Sequence, residues 1–521
     1  MGIRLIISNR VLLMSDEALG PEDVRPLLAL FEHDNPQHHK LKRMGFSTRG
    51  EPPVYRLWRK AKSDDGRHLY SFPRGGLTRI VEWLDAHETL EWEGEIEDVS
   101  TFGDVDLSGS IPKHRVELRP YQRESVDKLI AAGSGILRAP TAAGKTCIAF
   151  ALAARLNLPT VIVCPTGAIF DLWIKRADQE LGIKGDALGV IRAGVCRIRP
   201  LTIAMQKTIA VQGSQAWRSA FGVVIIDEAQ FAAARTYVEA IDPFTARHRF
   251  AVSADERRKD NREFLTHALF GGIAHEIDRE ALVGAGHIMD VEIMVIPTEF
   301  SADWYSNDTA GEKRWNGKEM VNVPAGGAGG FGKLLEALSS DEERSQLAVE
   351  AVYDEVRVGG QMFVMATRRE HCRMLDAMMT ARGLKSGLML GGPADRNEFL
   401  RTHAALSAGE YDAAIGTVQA IGTGVDMPNV TGVVVAAPLG NNRQLFNQVR
   451  GRAARKADDG RRKRLYYLWD KNVFPMHLKN LVKWNPTVRV KLGEQWVSPQ
   501  EYFRRQPLSG VAPRALVARR A

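Results

Sequence analysis

The sequence predicts an α/β protein: two parallel-sheet domains in tandem behind a small N-terminal α+β module. Three observations predict this. Short β-branched runs (GILRAP, TVIVCP, VVIIDEA, RFAVSA) alternate with helical stretches over residues 113–298. The same alternation returns from about 340 to 475, with QMFVMAT, AAIGT and GVVVAAP. Such alternation is the pattern of βαβ units and a parallel sheet. Residues 1–112 lack it, and a length of 521 residues suits two to four domains at roughly 100–200 residues each.

In order along the chain, RLIIS and VLLM read as a strand pair. PEDVRPLLALFEHD and LTRIVEWLDAHE read as amphipathic helices, with the basic HHKLKRMGFSTRG and the segment HLYSFPRGG between them. Basic residues interleave with Tyr55, Trp58, Tyr70 and Phe72. That pattern suits a DNA-recognition module, or equally an aromatic core. The Gly-rich PAGGAGGFGK (324–333) reads as a flexible loop or hinge. The expected division is 1–112, an N-terminal accessory domain; 113–298, a first α/β domain; 299–480, a second; and 481–521, a C-terminal extension and basic tail.

Composition narrows the class. Hydrophobic content of 44% and charged content of 26% are ordinary for a globular protein. No apolar run reaches about 18 residues, so no membrane span is expected. The opening MGIRLIISNRVLLM reads as strands rather than as a signal peptide, and a cytoplasmic protein is expected. Cys147, Cys164, Cys196 and Cys372 are scattered without a C-x-x-C pair. This argues against a structural zinc site or a disulfide framework and suits a reducing compartment. The net charge of +7 favours a polyanionic partner such as nucleic acid.

The chemistry concentrates in APTAAGKT (139–146), between the strand GILR and the helix KTCIAFALAARL. Backbone N–H groups at a helix N-terminus attract phosphate. Thr141, Ala142, Ala143 and Gly144 form the loop; Lys145 reaches the β- and γ-phosphates, and Thr146 binds Mg²⁺. Ala142 stands where a glycine is usual and needs φ below zero unless the structure absorbs the strain. Downstream, the apolar strand of VVIIDEAQ ends in two carboxylates: Asp227, the second Mg²⁺ ligand, and Glu228, which orients or deprotonates the attacking water.

Loop, DEAQ and the motifs that follow resemble a superfamily 2 helicase, over roughly residues 113–475. The resemblance implies two tandem RecA-like parallel-sheet domains with a small N-terminal α+β accessory domain, and ATP with Mg²⁺ held in the cleft between the two. It makes Gln122 of LRPYQ the adenine reader. It places Thr166 of CPTGAIFDLW and Gln206 of TIAMQ near the nucleic-acid backbone. Ser253 and Asp255 of VSADERRKDN couple hydrolysis to strand movement. Thr367 and Arg368 of VMATRREHC, with Thr417 of TVQAIGTGVDMP, are further backbone contacts, while Gly424 and Asp426 line the ATP side. QVRGRAAR fits the family's Q-x-x-G-R-x-x-R: Gln448 bridges the cleft, Arg452 touches the γ-phosphate and Arg455 is the arginine finger.

The lack of D-E-A-D and of a fuller adenine-recognition motif points away from RNA helicases. LRPYQ…DEAQ…SADER and FPRGG resemble the DNA-acting branch of XPB-like and phage UvsW-like proteins, which implies DNA as the partner, branched, duplex or single-stranded. The alternatives are an RNA helicase, the translocating subunit of a restriction complex, and an ATP-gated nucleic-acid-binding protein with little turnover.

Overall fold

The structure is a computed structural model. It describes residues 3–15, 21–62, 68–87, 92–107, 109–211, 216–229, 235–254, 263–302, 304–305, 313–315, 320–322, 327–392, 394–417, 430–439, 443–453, 463–485 and 487–506. The chain divides into two units, Met1–Ala281 and Leu282–Ala521.

The first unit starts with a five-stranded sheet in the order Arg59–Lys62, His68–Pro73, Arg10–Ser15, Ile3–Ile7, Trp92–Asp98. Its neighbours are antiparallel except the last pair. Strict alternation buries Ile3, Leu5 and Ile7 on one face, as a half-buried strand requires. Helix Leu77–Asp85 covers that face with Ile80 and Leu84, one turn apart. Tyr70 and Phe72 lie inside this core, so of the two readings of the interleaved aromatics these two follow the second.

The other sheet of this unit has eight strands: Val195–Arg197, Gly189–Arg192, Leu201–Met205, Thr160–Cys164, Val223–Asp227, His248–Ser253, Gly135–Arg138, Ile273–Glu276. All neighbours are parallel except the first pair. Thr160–Cys164 and Val223–Asp227 are buried at every position. Unbroken apolar runs are the mark of strands covered on both faces.

FPRGG joins the small module to this sheet's domain. Arg74 donates to the carbonyls of Ser8, Ala246 and Arg247 at 2.8 Å each. Arg10 meets Asp242 at 3.0 Å in a nearly dry setting. Arg249, fully buried, donates to the Asn9 carbonyl. Burial lowers the pKa of Arg74 to about 10 and of Arg249 to about 9. These cations serve internal hydrogen bonds instead of a surface field. The expected boundary at 112 is therefore not a break in packing: both parts lie in the unit Met1–Ala281.

Gly75 sets the closeness of this joint. A Cβ there would stand 2.2 Å from the His267 carbonyl oxygen and 2.4 Å from the Gly271 nitrogen. Gly75→Ala is expected to destabilise the protein by roughly 1–3 kcal/mol, since backbone must move to admit the methyl. Gly272→Ala, whose methyl meets open space, is the control and should stay within about 0.5 kcal/mol in thermal unfolding.

The second unit carries its own eight-stranded sheet: Ser386–Met389, Ala413–Thr417, Met362–Ala366, Gly432–Val435, Lys463–Asp470, Val291–Thr298, Val488–Leu492, Gln495–Val497. Only the last pair is antiparallel. Two places differ from the sequence expectation. Val291–Thr298, assigned to the first α/β domain, pairs with Lys463–Asp470 along its whole length. The segment assigned to a C-terminal extension supplies two strands, and Tyr502 and Phe503 of helix Pro499–Arg505 pack on Trp469. An apolar run carries no mark of which sheet it joins; pairing decides.

The Gly-rich stretch is also different from the expected loop. From Gly327 it forms helix Gly327–Ser340. Leu334 and Leu338 bury against Ala302, Val473 and Phe474. That packing outweighs a helix cost of roughly 1 kcal/mol per glycine. The architecture is two RecA-like parallel-sheet domains in tandem along the chain, with the small α+β module in front. No helix among the described residues is long and apolar enough to cross a membrane.

Candidate nucleotide site

In a parallel sheet, ligands gather at the carboxyl ends of the strands. In the first unit Gly135–Arg138, His248–Ser253, Val223–Asp227 and Thr160–Cys164 lie side by side, and Ala139, Ser253, Asp227 and Thr166 fall at or just beyond those ends.

The loop after Gly135–Arg138 is shaped by its small residues. Ala139 is fully buried, and its N–H donates to the Ser253 carbonyl at 2.9 Å. This ties the loop's first residue to the end of the strand that leads into Asp255. Ala142 has φ +72° and Gly144 has φ +80°. Of the two outcomes open to Ala142, the structure shows the second: φ is positive and the loop absorbs the strain. The loop imposes the left-handed turn that glycine normally makes, at a cost of order 1–2 kcal/mol. Ala142→Gly should therefore stabilise the protein by about 1 kcal/mol and preserve any ATP turnover, measured by thermal melting and phosphate release.

Gly144 is required twice, for its φ and because a Cβ would lie 2.4 Å from Gln122 Nε2. Left-handed turns in succession aim N–H groups into a concave nest suited to phosphate. Helix Lys145–Leu156 adds its N-terminal dipole. Lys145 Nζ lies back across the loop, 3.5 Å from the Ala139 carbonyl. Thr141 and Thr146 are half-buried on either side of these turns.

Gln122 is buried against the same loop. Its Oε1 accepts from Arg119 N–H at 3.0 Å and its Nε2 donates to the Ala143 carbonyl at 3.2 Å. Tyr121 Oη donates to that carbonyl too, at 3.0 Å. The residue expected to read adenine also holds the phosphate loop, a role its spacing did not reveal.

Asp227 is buried with both oxygens engaged. Trp173 Nε1 donates to Oδ2 at 2.8 Å, and Glu228 N–H to Oδ1 at 2.9 Å. Burial first and the Glu228 charge second push its pKa up to about 6, against the Trp173 hydrogen bond and the Lys145 charge. Glu228 itself sits at φ +54°, a backbone strain of the kind stored at functional sites. Trp173 ends CPTGAIFDLW, but its partner lies 54 residues on, and no local pattern signals that contact.

These residues fit ATP and Mg²⁺. The nest and Lys145 match phosphate, and a desolvated carboxylate close to its neutral form gains most from a cation. Thr146 and Asp227 would hold the ion, which when bound neutralises charge on the phosphates. The titration has a testable sign. Asp227 holds its proton more tightly folded than unfolded, so its stabilising effect is full below pH 4 and lost as pH rises through about 6. Asp227→Asn should raise stability by up to roughly 3 kcal/mol at pH 8 and by nothing at pH 4. Melting curves at the two pH values check this.

Thr166 caps helix Gly167–Leu181, its Oγ1 accepting from Ile169 N–H. Gln206 begins helix Gln206–Val211 but is buried rather than presented at the surface. Ser253 is wholly buried. In the second unit, Thr367 and Arg368 follow strand Met362–Ala366, and Thr417 ends Ala413–Thr417. Arg368 Nη2 donates to the Gly332 carbonyl at 2.7 Å while its buried Nε has no hydrogen-bond partner. Gln448 and Arg452 are four residues apart on helix Arg443–Ala453. Asp255, Gly424, Asp426 and Arg455 lie outside the described residues.

Comparison with known proteins follows this layout. Residues 115–256 match the family model described as type III restriction enzyme, res subunit, and residues 345–457 match the helicase conserved C-terminal domain. A Halobacterium salinarum relative whose name carries Rad25 is 25% identical over 349 residues, 65% of this chain and 52% of that one. The chain therefore spans about half the length of that relative. The DNA 3'-5' translocase XPB2 of Sulfurisphaera tokodaii is 24% identical over 400 residues, 71% of this chain and 85% of the relative. The crystal structure of T4 UvsW aligns over 90% of both chains at 16% identity and TM-score 0.39. The first model falls on the sheet that holds the phosphate loop and the second on the sheet that leads to the arginine motif, and with the XPB- and Rad25-named relatives they support a helicase of superfamily 2.

Proposed function

We propose that the chain is an ATP-driven DNA helicase or translocase acting on duplex or branched DNA. One observation carries the reading: a phosphate loop with Lys145 stands beside a buried Asp227 and a strained Glu228 at the carboxyl edge of one parallel sheet. Lys145 and the loop N–H groups bind the β- and γ-phosphates, Asp227 and Thr146 hold Mg²⁺, and Glu228 orients the attacking water. Arg452 and Arg455 of QVRGRAAR supply positive charge to the transferring phosphoryl group. Thr166, Thr367, Arg368 and Thr417 contact the strand's backbone, and Ser253 with Asp255 couples hydrolysis to movement. The names of the relatives, a DNA 3'-5' translocase among them, favour DNA over RNA.

The test is steady-state ATP hydrolysis without nucleic acid, then with single-stranded DNA, duplex DNA, a model fork and RNA. Stimulation by duplex or forked DNA, falling steeply with salt as phosphate contacts demand, is the expected result. Stimulation by RNA alone overturns the DNA assignment. Nucleotide binding with no turnover on any of the four overturns the motor.

A further inference from the structure

Beside the phosphate loop, outside every role assigned above, three donors of different chemistry converge. His114 Nε2 lies 3.0 Å from Glu180 Oε2 and 3.8 Å from Cys147 Sγ. The three ligand atoms all fall within 4.8 Å of one another. His114 and Glu180 side chains are 8% and 3% exposed. Donors around a tetrahedral zinc ion stand roughly 3.3–3.7 Å apart, from bonds of about 2.0–2.3 Å. Side-chain rotations of about an ångström would close the set on one ion.

The surroundings orient the donors toward a common point. The Val116 carbonyl is 2.8 Å from His114 Nδ1 and accepts a hydrogen bond from it, which turns Nε2 toward Glu180 and Cys147. Glu180 Oε1, the oxygen turned away, faces Arg176 at 3.6 Å. Arg115 N–H donates to the Glu180 carbonyl at 2.9 Å and fixes the segment to the end of helix Gly167–Leu181. Such outer partners are what hold metal-binding imidazoles and carboxylates in place.

We propose that His114, Cys147 and Glu180 form a binding site for a divalent ion of the zinc class, with a fourth position open to water. Imidazole, thiolate and carboxylate together select zinc or cobalt over magnesium or calcium. A thiolate and a carboxylate neutralise a +2 ion, and binding releases the thiol proton. The ion would tie three segments: the stretch leading to Gln122, the first turn of the helix carrying Lys145 and Thr146, and helix Gly167–Leu181. Spacings of 33 and 66 residues hide the cluster from any local motif.

The test uses the full chain, reduced and stripped with a chelator, titrated with Co²⁺ alone and then with Zn²⁺. One equivalent of cobalt should produce a thiolate-to-cobalt charge-transfer band and the strong visible absorption of four-coordinate cobalt. One equivalent of zinc should abolish both. Cys147→Ser and Glu180→Gln should each lose the charge-transfer band or weaken cobalt binding at least about tenfold, while Cys196→Ser keeps it. Stoichiometric zinc should also raise the melting temperature of the unmodified protein, a readout that needs no variant. No charge-transfer band, or one that survives Cys147→Ser, would overturn the site and leave His114 and Glu180 as an ion pair only.

Discussion

Replacing Lys145 by alanine is expected to reduce ATP turnover by on the order of 10²–10³-fold or more, the effect of removing a charged group aimed at the reacting phosphate. The loss should come with little loss of stability. The hydrogen bond of Lys145 Nζ to the Ala139 carbonyl is long, at 3.5 Å, and the loop's shape rests on other groups. Those are the Ala139–Ser253 backbone bond and the Gln122 and Tyr121 contacts to Ala143. Phosphate release and a melting curve on the same sample separate the two effects. A variant that folds normally and keeps near wild-type turnover would remove this loop as the site of hydrolysis.

The second large effect concerns the other unit. Arg344 and Asp470 are each 1% exposed and meet twice, Nε to Oδ1 at 2.6 Å and Nη2 to Oδ2 at 3.2 Å. Thr298 Oγ1 donates to the same Oδ1 at 2.8 Å. The pair fastens helix Glu342–Arg357 to the ends of two neighbouring strands, Val291–Thr298 and Lys463–Asp470. Asp470→Ala strands a guanidinium in the core and should cost about 3–5 kcal/mol. Arg344 also faces His371, whose pKa burial and that cation lower to about 3; neither form of an imidazole carries the negative charge that a stranded guanidinium needs. The double change Arg344→Met with Asp470→Leu should cost far less, because it removes the uncompensated charge along with the attraction. Denaturant unfolding of both variants checks the difference. Equal losses would mean that packing volume, not charge, governs this contact.

Much of the molecule was legible along the chain. The β-branched runs from GILR to GVVV all became strands, because a strand buried on both faces must be continuously apolar. APTAAGKT and VVIIDEAQ fixed the candidate site's composition, because a phosphate-binding nest and a buried metal ligand each need small or acidic residues at set positions. The order of these motifs, with QVRGRAAR downstream, pointed to the superfamily.

Pairing, burial and backbone strain belong to the tertiary structure. Val291–Thr298 reads the same whichever sheet it joins, and only its register with Lys463–Asp470 assigns it. The glycines from 327 onward favour a loop until Leu334 and Leu338 find a core. Arg10, Arg74 and Arg249 count as surface charge in a composition, yet they are turned inward to carbonyls and one carboxylate. Ala142 holds a left-handed turn in a loop tied down by the Ala139–Ser253 backbone bond and the Gln122 contact to Ala143. The sequence by itself determined which chemical groups are present and how local segments bend; the tertiary structure decided which distant groups meet, because burial and long-range contact are set by the packing of elements that lie far apart along the chain.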